Sequence, residues 1–182
     1  MKYTLIISGS GGQGVMSVGM MLGESAVDGG LNATFMPLYG PEQRGGSAKC
    51  TVIISKDKIM SPLPKQSDGL ITMNEASFRK FNKELKPGGV LVLNSNRVTS
   101  KSKRTDITLI AVPADDLARE LGNDKISNII LIGALLGYSE MMDPKLLMDS
   151  LEKKFGDKGE KIVELNRKAL YEGVEIGKKA KL

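Results

Sequence analysis

The chain has 182 residues, with 26 Lys and Arg against 21 Asp and Glu and a formal net charge of +5. It lacks histidine and tryptophan and holds one cysteine, Cys50, which excludes an intrachain disulfide and a four-cysteine iron–sulfur cluster and removes the commonest general base and metal ligand. The length suits one domain over residues 1–182 that buries roughly 70% of its unfolded surface, and without a leader pattern or a run of about eighteen apolar residues the sequence reads as soluble and cytoplasmic.

The apolar, β-rich run Tyr3–Ile7 predicts a first strand, followed by the turn Gly9-Ser10-Gly11-Gly12-Gln13-Gly14 and a largely buried helix from Val15 through Leu22. Asn32–Pro37 predicts a second strand and Ser47–Ile54 a third, with the loop Tyr39-Gly40-Pro41-Glu42-Gln43-Arg44-Gly45-Gly46 between them. A parallel crossover needs a dozen or more residues, so this pair is expected to be antiparallel and the sheet mixed. Lys56-Asp57-Lys58 reads as a turn, Ile59-Met60 as a short extension, and Ser61-Pro62-Leu63-Pro64 as a rigid connector unfit for a central strand.

Asp68–Met73 returns to the sheet, and Asn74 caps a helix predicted from Glu75 to Leu85, with Phe78, Phe81 and Leu85 on one side and Pro87-Gly88-Gly89 as its stop. Val90–Leu93 is a continuous apolar run expected of a strand covered on both faces, and Ile107–Val112 is another strand. Helices follow from Pro113 to Leu121, from Asn128 to Leu136 (apolar nearly all round), from Asp143-Pro144 through Lys154, and from Gly159 through Lys179. Gly133 and Ala134 suit close approach by another backbone, from within the chain or from a partner. The alternation predicts an α/β fold: a single three-layer α/β/α, Rossmann-like domain with a mixed sheet.

The chemistry concentrates in the two glycine loops. Gly9, Gly11 and Gly14 have G-x-G-x-x-G spacing, in which absent Cβ atoms permit positive φ and bring backbone N–H groups to an anion at the helix N-terminus. The same glycines also serve plain strand–helix packing. The second strand ends without the Asp or Glu that would hold a ribose, which argues against a stand-alone NAD(P)-dependent reductase. Arg44 offers a planar donor fork for carboxylate or phosphate, or it pairs with Glu42 in solvent. Cys50 lies in the third strand run and reads as a buried small apolar residue without chemistry. Arg97, Lys101, Lys103 and Arg104 form one basic loop rather than a basic face, with no nucleic-acid-reading motif beside it, and read as a solvated loop or a subunit contact.

Gly9–Gly14, the run Pro37-Leu38-Tyr39-Gly40-Pro41-Glu42-Gln43-Arg44-Gly45-Gly46-Ser47-Ala48-Lys49-Cys50, and Ser61-Pro62 together resemble the γ subunit of 2-oxoacid:ferredoxin oxidoreductases. The likeness continues through Leu70–Asn74, Pro87–Ser95, Asn128–Ala134 and Asn166–Gly173, nearly the whole chain. It implies a part in the oxidative decarboxylation of a 2-oxoacid to its acyl-coenzyme A, with electrons passing to ferredoxin. By the same resemblance, thiamine diphosphate, Mg2+ and iron–sulfur clusters belong to companion α, β and δ subunits, and coenzyme A to the assembled complex. This chain would bind no cofactor alone and supply no catalytic group, metal ligand, nucleic-acid site or membrane anchor. Its contribution would be Gly11, Gly12, Gln13 and Gly14 in the first loop and Tyr39, Gly40, Pro41, Glu42, Arg44, Gly45 and Gly46 in the second, bordering the active-site entrance, with Gln13 and Arg44 as polar contacts. The block before Arg44 resembles subunits of 2-oxoglutarate and branched-chain 2-oxoacid enzymes more than those of the related indolepyruvate enzymes.

Overall fold

Residues 1–40 and 46–182 are described by the structure, a computed structural model. They form six strands, β1 (Lys2–Ser10), β2 (Asn32–Tyr39), β3 (Ser47–Ser55), β4 (Ser67–Thr72), β5 (Leu85–Asn94) and β6 (Thr108–Val112). Six α-helices accompany them: α1 (Val15–Asp28), α2 (Glu75–Phe81), α3 (Ala114–Glu120), α4 (Ser127–Ser139), α5 (Pro144–Phe155) and α6 (Glu160–Lys179). The strands make one sheet in the order β2-β3-β1-β4-β5-β6. β3 is antiparallel to β1 and β2, while β1, β4, β5 and β6 pair in parallel. Five strands therefore run one way and β3 alone is reversed, because the link from β2 to β3 is too short for a crossover. No helix among the described residues is long and apolar enough to cross a membrane.

The two faces of the sheet are covered unequally. On one, α1 lies over β1, β2 and β3 and α4 over β4, β5 and β6, with α3, α5 and α6 packed around them. α4 is buried from Ile129 through Gly137, since the sheet lies below it and α6 above. Gly133 and Gly137 of α4 meet Gly173, Val174 and Gly177 of α6 so closely that a Cβ on any of the four glycines would fall within 2.3 Å of a backbone oxygen. The partner of this glycine stripe is thus within the chain. On the other face, α2 is the only α-helix among the described residues, and Phe78, Phe81 and Val98 pack on Ile6, Leu70, Leu91 and Leu93.

Two segments depart from expectation. The helix that starts at Asn74, whose Oδ1 accepts from Ser77 N at 2.8 Å, ends at Phe81 rather than Leu85. A 3₁₀ turn over Asn82–Glu84 follows, and the Arg104 guanidinium donates to Asn82 O at 3.0 Å and Leu85 O at 2.6 Å, satisfying carbonyls on either side of the turn. Leu85 opens β5, and Pro87-Gly88-Gly89 lies inside that strand as an irregularity opposite Ser67–Gly69, with Gly88 at φ 75°. Ile59-Met60 is no strand; it belongs to an unpaired connector on which Met60 is 85% exposed.

The basic loop is pinned rather than free. Arg97 pairs with Asp115 and Arg104 with Asp106, while Glu75 at the start of α2 accepts from Thr99 N at 2.9 Å, Ser100 N at 3.1 Å, the Ser100 hydroxyl and Arg79. The Ser100 hydroxyl first, and Arg79 next, lower the Glu75 pKa from 4.5 to about 2. A depressed carboxylate adds stability that is complete above its unfolded pKa and is lost as pH falls through its folded one. The latch is therefore expected to hold at pH 5 and to loosen between pH 4.5 and about 2. Protection factors of the Thr99 and Ser100 amides, followed by hydrogen exchange, are the measurement. Glu75→Gln should remove the pH step, and wild-type protection that persisted unchanged through pH 2 would sink the assignment.

Candidate functional site

The chain leaves β1 through α1 toward β2 on one side and leaves the adjacent β4 through α2 toward β5 on the other, which puts the switch point at the β1–β4 pair. Ligand crevices in such sheets lie outside the carboxyl ends of the strands at this switch point. The loop Gly9–Gly14 occupies that place. Gly12 has φ 92° and Gly14 φ 75°, backbone angles that glycine adopts without strain. Gly14 is the N-cap of α1, which has neither a side-chain cap nor an acidic residue in its first turn. The unpaired N–H groups and positive dipole end of α1 are thus presented outward at the loop.

β2 runs in the direction of β1, so its end at Tyr39 reaches the same sheet edge, where Tyr39 and Gly9 both face Ala48 of β3. Gly40 N donates to Ser47 O at 2.8 Å, and Gly11 N donates to Gly46 O at 3.2 Å, which ties the two loops together directly. Tyr39 is 67% exposed. It borders a cavity of about 350 Å³ with Gly11, Gly12, Gly14 and Met16, and the described residues that line it carry no charged side chain. A second cavity of about 330 Å³ opens on the other side of the loop, where Gly12, Gln13 and Gly14 face Asn94, Arg97 and Asn128. Pro41, Glu42, Arg44 and Gly45 lie outside the described residues.

Gln13 has a different setting from its neighbours. Its Oε1 accepts from Ser10 N at 2.7 Å, Ser10 Oγ at 3.0 Å and Asn74 Nδ2 at 3.1 Å, and its Nε2 donates to Met73 O at 3.3 Å. The amide is spent within the chain, locking the glycine turn to the end of β4 and to the cap of α2. Asn128, at the start of α4, donates to Gln13 O at 3.4 Å. Asn74 had a sequence signal as a helix cap; its second bond, and the contributions of Met73, Asn94 and Asn128, had none. Among the described residues no group of three His, Cys, Asp or Glu side chains is arranged to hold a metal.

Cys50 is fully buried beneath α1, its Sγ 3.5 Å from Val15 O. Burial pushes its thiol up to about 12, so the thiolate is scarce at neutral pH. Folded protein at pH 8 should react with a thiol reagent only as fast as it opens, and denaturant should restore prompt labelling; prompt labelling of the native chain would contradict this.

A family model for pyruvate ferredoxin/flavodoxin oxidoreductase matches residues 4–176. The chain belongs to this family. Among its relatives, the ketoisovalerate oxidoreductase subunit VorA of Methanothermobacter marburgensis is 33% identical over 174 residues, covering 95% of this chain but 36% of VorA. The chain therefore spans about a third of that relative. The 2-oxoglutarate synthase subunit KorC of Methanocaldococcus jannaschii is 31% identical over 185 residues, 98% of this chain and 95% of KorC. The crystal structure of a keto/oxoacid ferredoxin oxidoreductase γ subunit from Geobacter sulfurreducens superposes with a TM-score of 0.87 at 30% identity, covering 99% of this chain and 98% of that one. The matched span includes both glycine loops, and the mixed α/β architecture is that of the γ-subunit structure.

Proposed function

We propose that the chain is the non-cluster γ subunit of a cytoplasmic, multisubunit 2-oxoacid:ferredoxin oxidoreductase that converts a 2-oxoacid and coenzyme A to carbon dioxide and acyl-coenzyme A while reducing ferredoxin. The observation that carries this is the Gly11–Gly46 bond, which makes one wall of two loops whose sequences both match the family. The wall suits anions: it presents backbone N–H groups and the start of α1, to which Arg44 would add a fixed positive charge. It does not suit a thiamine diphosphate–magnesium pair, for which the described residues supply no carboxylate cluster. Thiamine diphosphate, which stabilises the carbanion formed on decarboxylation, Mg2+ and the clusters are assigned to the α, β and δ subunits, and ferredoxin meets this chain only indirectly.

Within that complex Gly11, Gly12, Gly14, Tyr39, Gly40 and Gly46, with Pro41, Glu42, Arg44 and Gly45, would seat coenzyme A or the substrate carboxylate and exclude water from the entrance. Gln13 would order the turn, its amide committed to Ser10, Met73 and Asn74. The relations to VorA and KorC favour a branched-chain 2-oxoacid or 2-oxoglutarate as the substrate class.

Expression of the chain alone and together with its genomic neighbours tests the assignment. A colourless, inactive chain and a brown, active complex containing it are expected; full activity of the isolated chain, or its micromolar binding of NAD(H) or NADP(H), would refute it. In the complex, Arg44→Ala should raise the coenzyme A KM about 10–100-fold, the loss of one charge-assisted bond, with folding unchanged. Wild-type kinetics with weaker assembly would place Arg44 at an interface instead.

A further inference from the structure

The chain's positive charge is confined to one layer of the fold. Residues 56–106 carry eleven Lys and Arg against five Asp and Glu, six in excess, whereas the remainder carries fifteen against sixteen. That segment includes everything the second face of the sheet has for a cover: the connector before β4, then α2, the 3₁₀ turn, and the link from β5 to β6. Its arginines are consumed internally, Arg79 by Glu75, Arg97 by Asp115 and Arg104 by Asp106. Of its lysines, Lys86 pairs with Asp68, but others are left over. Lys65, Lys80, Lys83, Lys101 and Lys103 are exposed and form no ion pair with another described residue. Hydrogen bonds from Arg104 to Asn82 O and Leu85 O, and from Ser100 to Glu75, fold the Lys101–Lys103 stretch against α2 and the turn that bear Lys80 and Lys83.

Beside these lysines the same face is apolar and incompletely covered. α2 packs mainly on β1 and β4 and meets the β2–β3 wing only where Lys49 of β3 lies over the Phe81 ring, 4.9 Å from its centroid. There a recess of about 210 Å³, about the volume of one large side chain, opens between Met36 and Leu38 of β2 and Leu63 and Pro64 of the connector, with Lys65 at its lip. Leu38 is 59% and Leu63 71% exposed, and the paired Lys49 and Glu84 line the recess with them.

We infer that this lysine-rich face, with its apolar recess, is the surface by which the chain docks on a companion subunit, whose matching surface is acidic and carries a protruding apolar side chain. An apolar recess on a face that also carries exposed cations has the makings of a protein interface, an apolar centre with polar surroundings, and the charge asymmetry selects an acidic partner. A nucleic-acid backbone would satisfy the lysines and leave the recess empty. The inference rests on the γ-subunit reading above, and it puts docking on the face opposite α1 and α4, away from α5 and α6.

The test is assembly with the co-expressed companions. Lys65, Lys80, Lys83, Lys101 and Lys103 are changed together to Glu, and in a control Lys154, Lys158, Lys161, Lys168 and Lys179 on the α5–α6 side are changed likewise. The first variant should lose assembly, with the dissociation constant raised at least about 30-fold, and wild-type binding should weaken with salt; the control should assemble as wild type does. Lysine acetylation footprinting of the unmodified complex gives an answer independent of variant folding: the five lysines should fall severalfold in reactivity while those of α5 and α6 keep theirs. Wild-type assembly with no footprint on the five lysines, or with undiminished binding of the first variant, overturns this surface alone. Failure of the wild-type chain to join any companion overturns the γ-subunit reading with it. Protection of the five lysines by poly(U) or phosphatidylserine vesicles but not by the companions would also overturn the proposal.

Discussion

Gly137→Ala and Gly177→Ala should each destabilise the chain by about 3 kcal/mol, the upper range for forcing atoms into a filled interior. A Cβ at Gly137 would stand 2.1 Å from Val174 O, and one at Gly177 would stand 2.0 Å from Ala134 O. Both obstacles are backbone of the facing helix, so no rotamer change relieves them and α4 and α6 must move apart. That separation would loosen Leu131, Leu135 and Leu170, all essentially inaccessible to solvent. For a chain of this length the thermal midpoint should fall by about 10 °C. Gly156→Ala is the control: its φ is −54° and nothing lies within 4 Å of its Cβ position, so its midpoint should stay within about 3 °C of wild type. The double variant should cost less than twice a single one, because the first methyl group already opens the contact. A wild-type midpoint for either single variant would mean that the two helices do not approach as closely as described.

The second large effect is expected at Gln13, on activity as well as stability. Gln13→Ala removes an acceptor shared by Ser10 N, Ser10 Oγ and Asn74 Nδ2, and a donor to Met73 O. With part of this network left unpaired and partly buried, stability should drop by about 2 kcal/mol. In the proposed complex kcat/KM should fall about 100-fold, the order expected when a turn proposed to seat an anion shifts by about 1 Å. Gln13→Glu separates the two effects. It keeps the acceptors and loses the bond to Met73 O, while adding negative charge beside the loop, so activity should suffer more than folding and the coenzyme A KM should rise. Denaturation of the isolated chain and steady-state kinetics of the complex measure the two parts. A Gln13→Ala complex with wild-type kcat/KM would remove the first loop from the site.

How much of the site could be foreseen follows from how local its parts are. The turn Gly9–Gly14 is flanked by its own strand and helix, and Gly12 and Gly14 have positive φ, so the spacing alone identified it. What Gln13 does was not legible, because its partners Met73 and Asn74 lie 60 and 61 residues away, and Asn128 lies 115 away from it. Its amide looked available for ligand until β4 was placed beside β1. The end of α2 failed for a similar reason. The apolar spacing of Phe78, Phe81 and Leu85 is helical, yet Leu85 opens β5, and the turn before it is held by Arg104, 22 and 19 residues on from Asn82 and Leu85, whose carbonyls accept from its guanidinium. Likewise the basic loop was visible as charge, whereas its division into clamped arginines and free lysines came with Glu75, Asp115 and Asp106 in place.

Sequence by itself determined the kinds of element and their order along the chain, because hydrophobic period, caps and glycine or proline punctuation act within a few residues. It also determined that β3 must be reversed, since the link Gly40–Gly46 cannot carry a crossover. Family membership was carried by the two glycine blocks for the same local reason: backbone angles and close approaches are encoded residue by residue. Tertiary structure alone decided that β1 lies between β3 and β4, that both loops share one edge through the Gly11–Gly46 bond, and that five of the six helices gather on one face while the segment with the excess of basic over acidic residues covers the other. Those outcomes depend on pairings between distant segments, whose free energies are settled by the burial of the whole sheet and have no short-range signature.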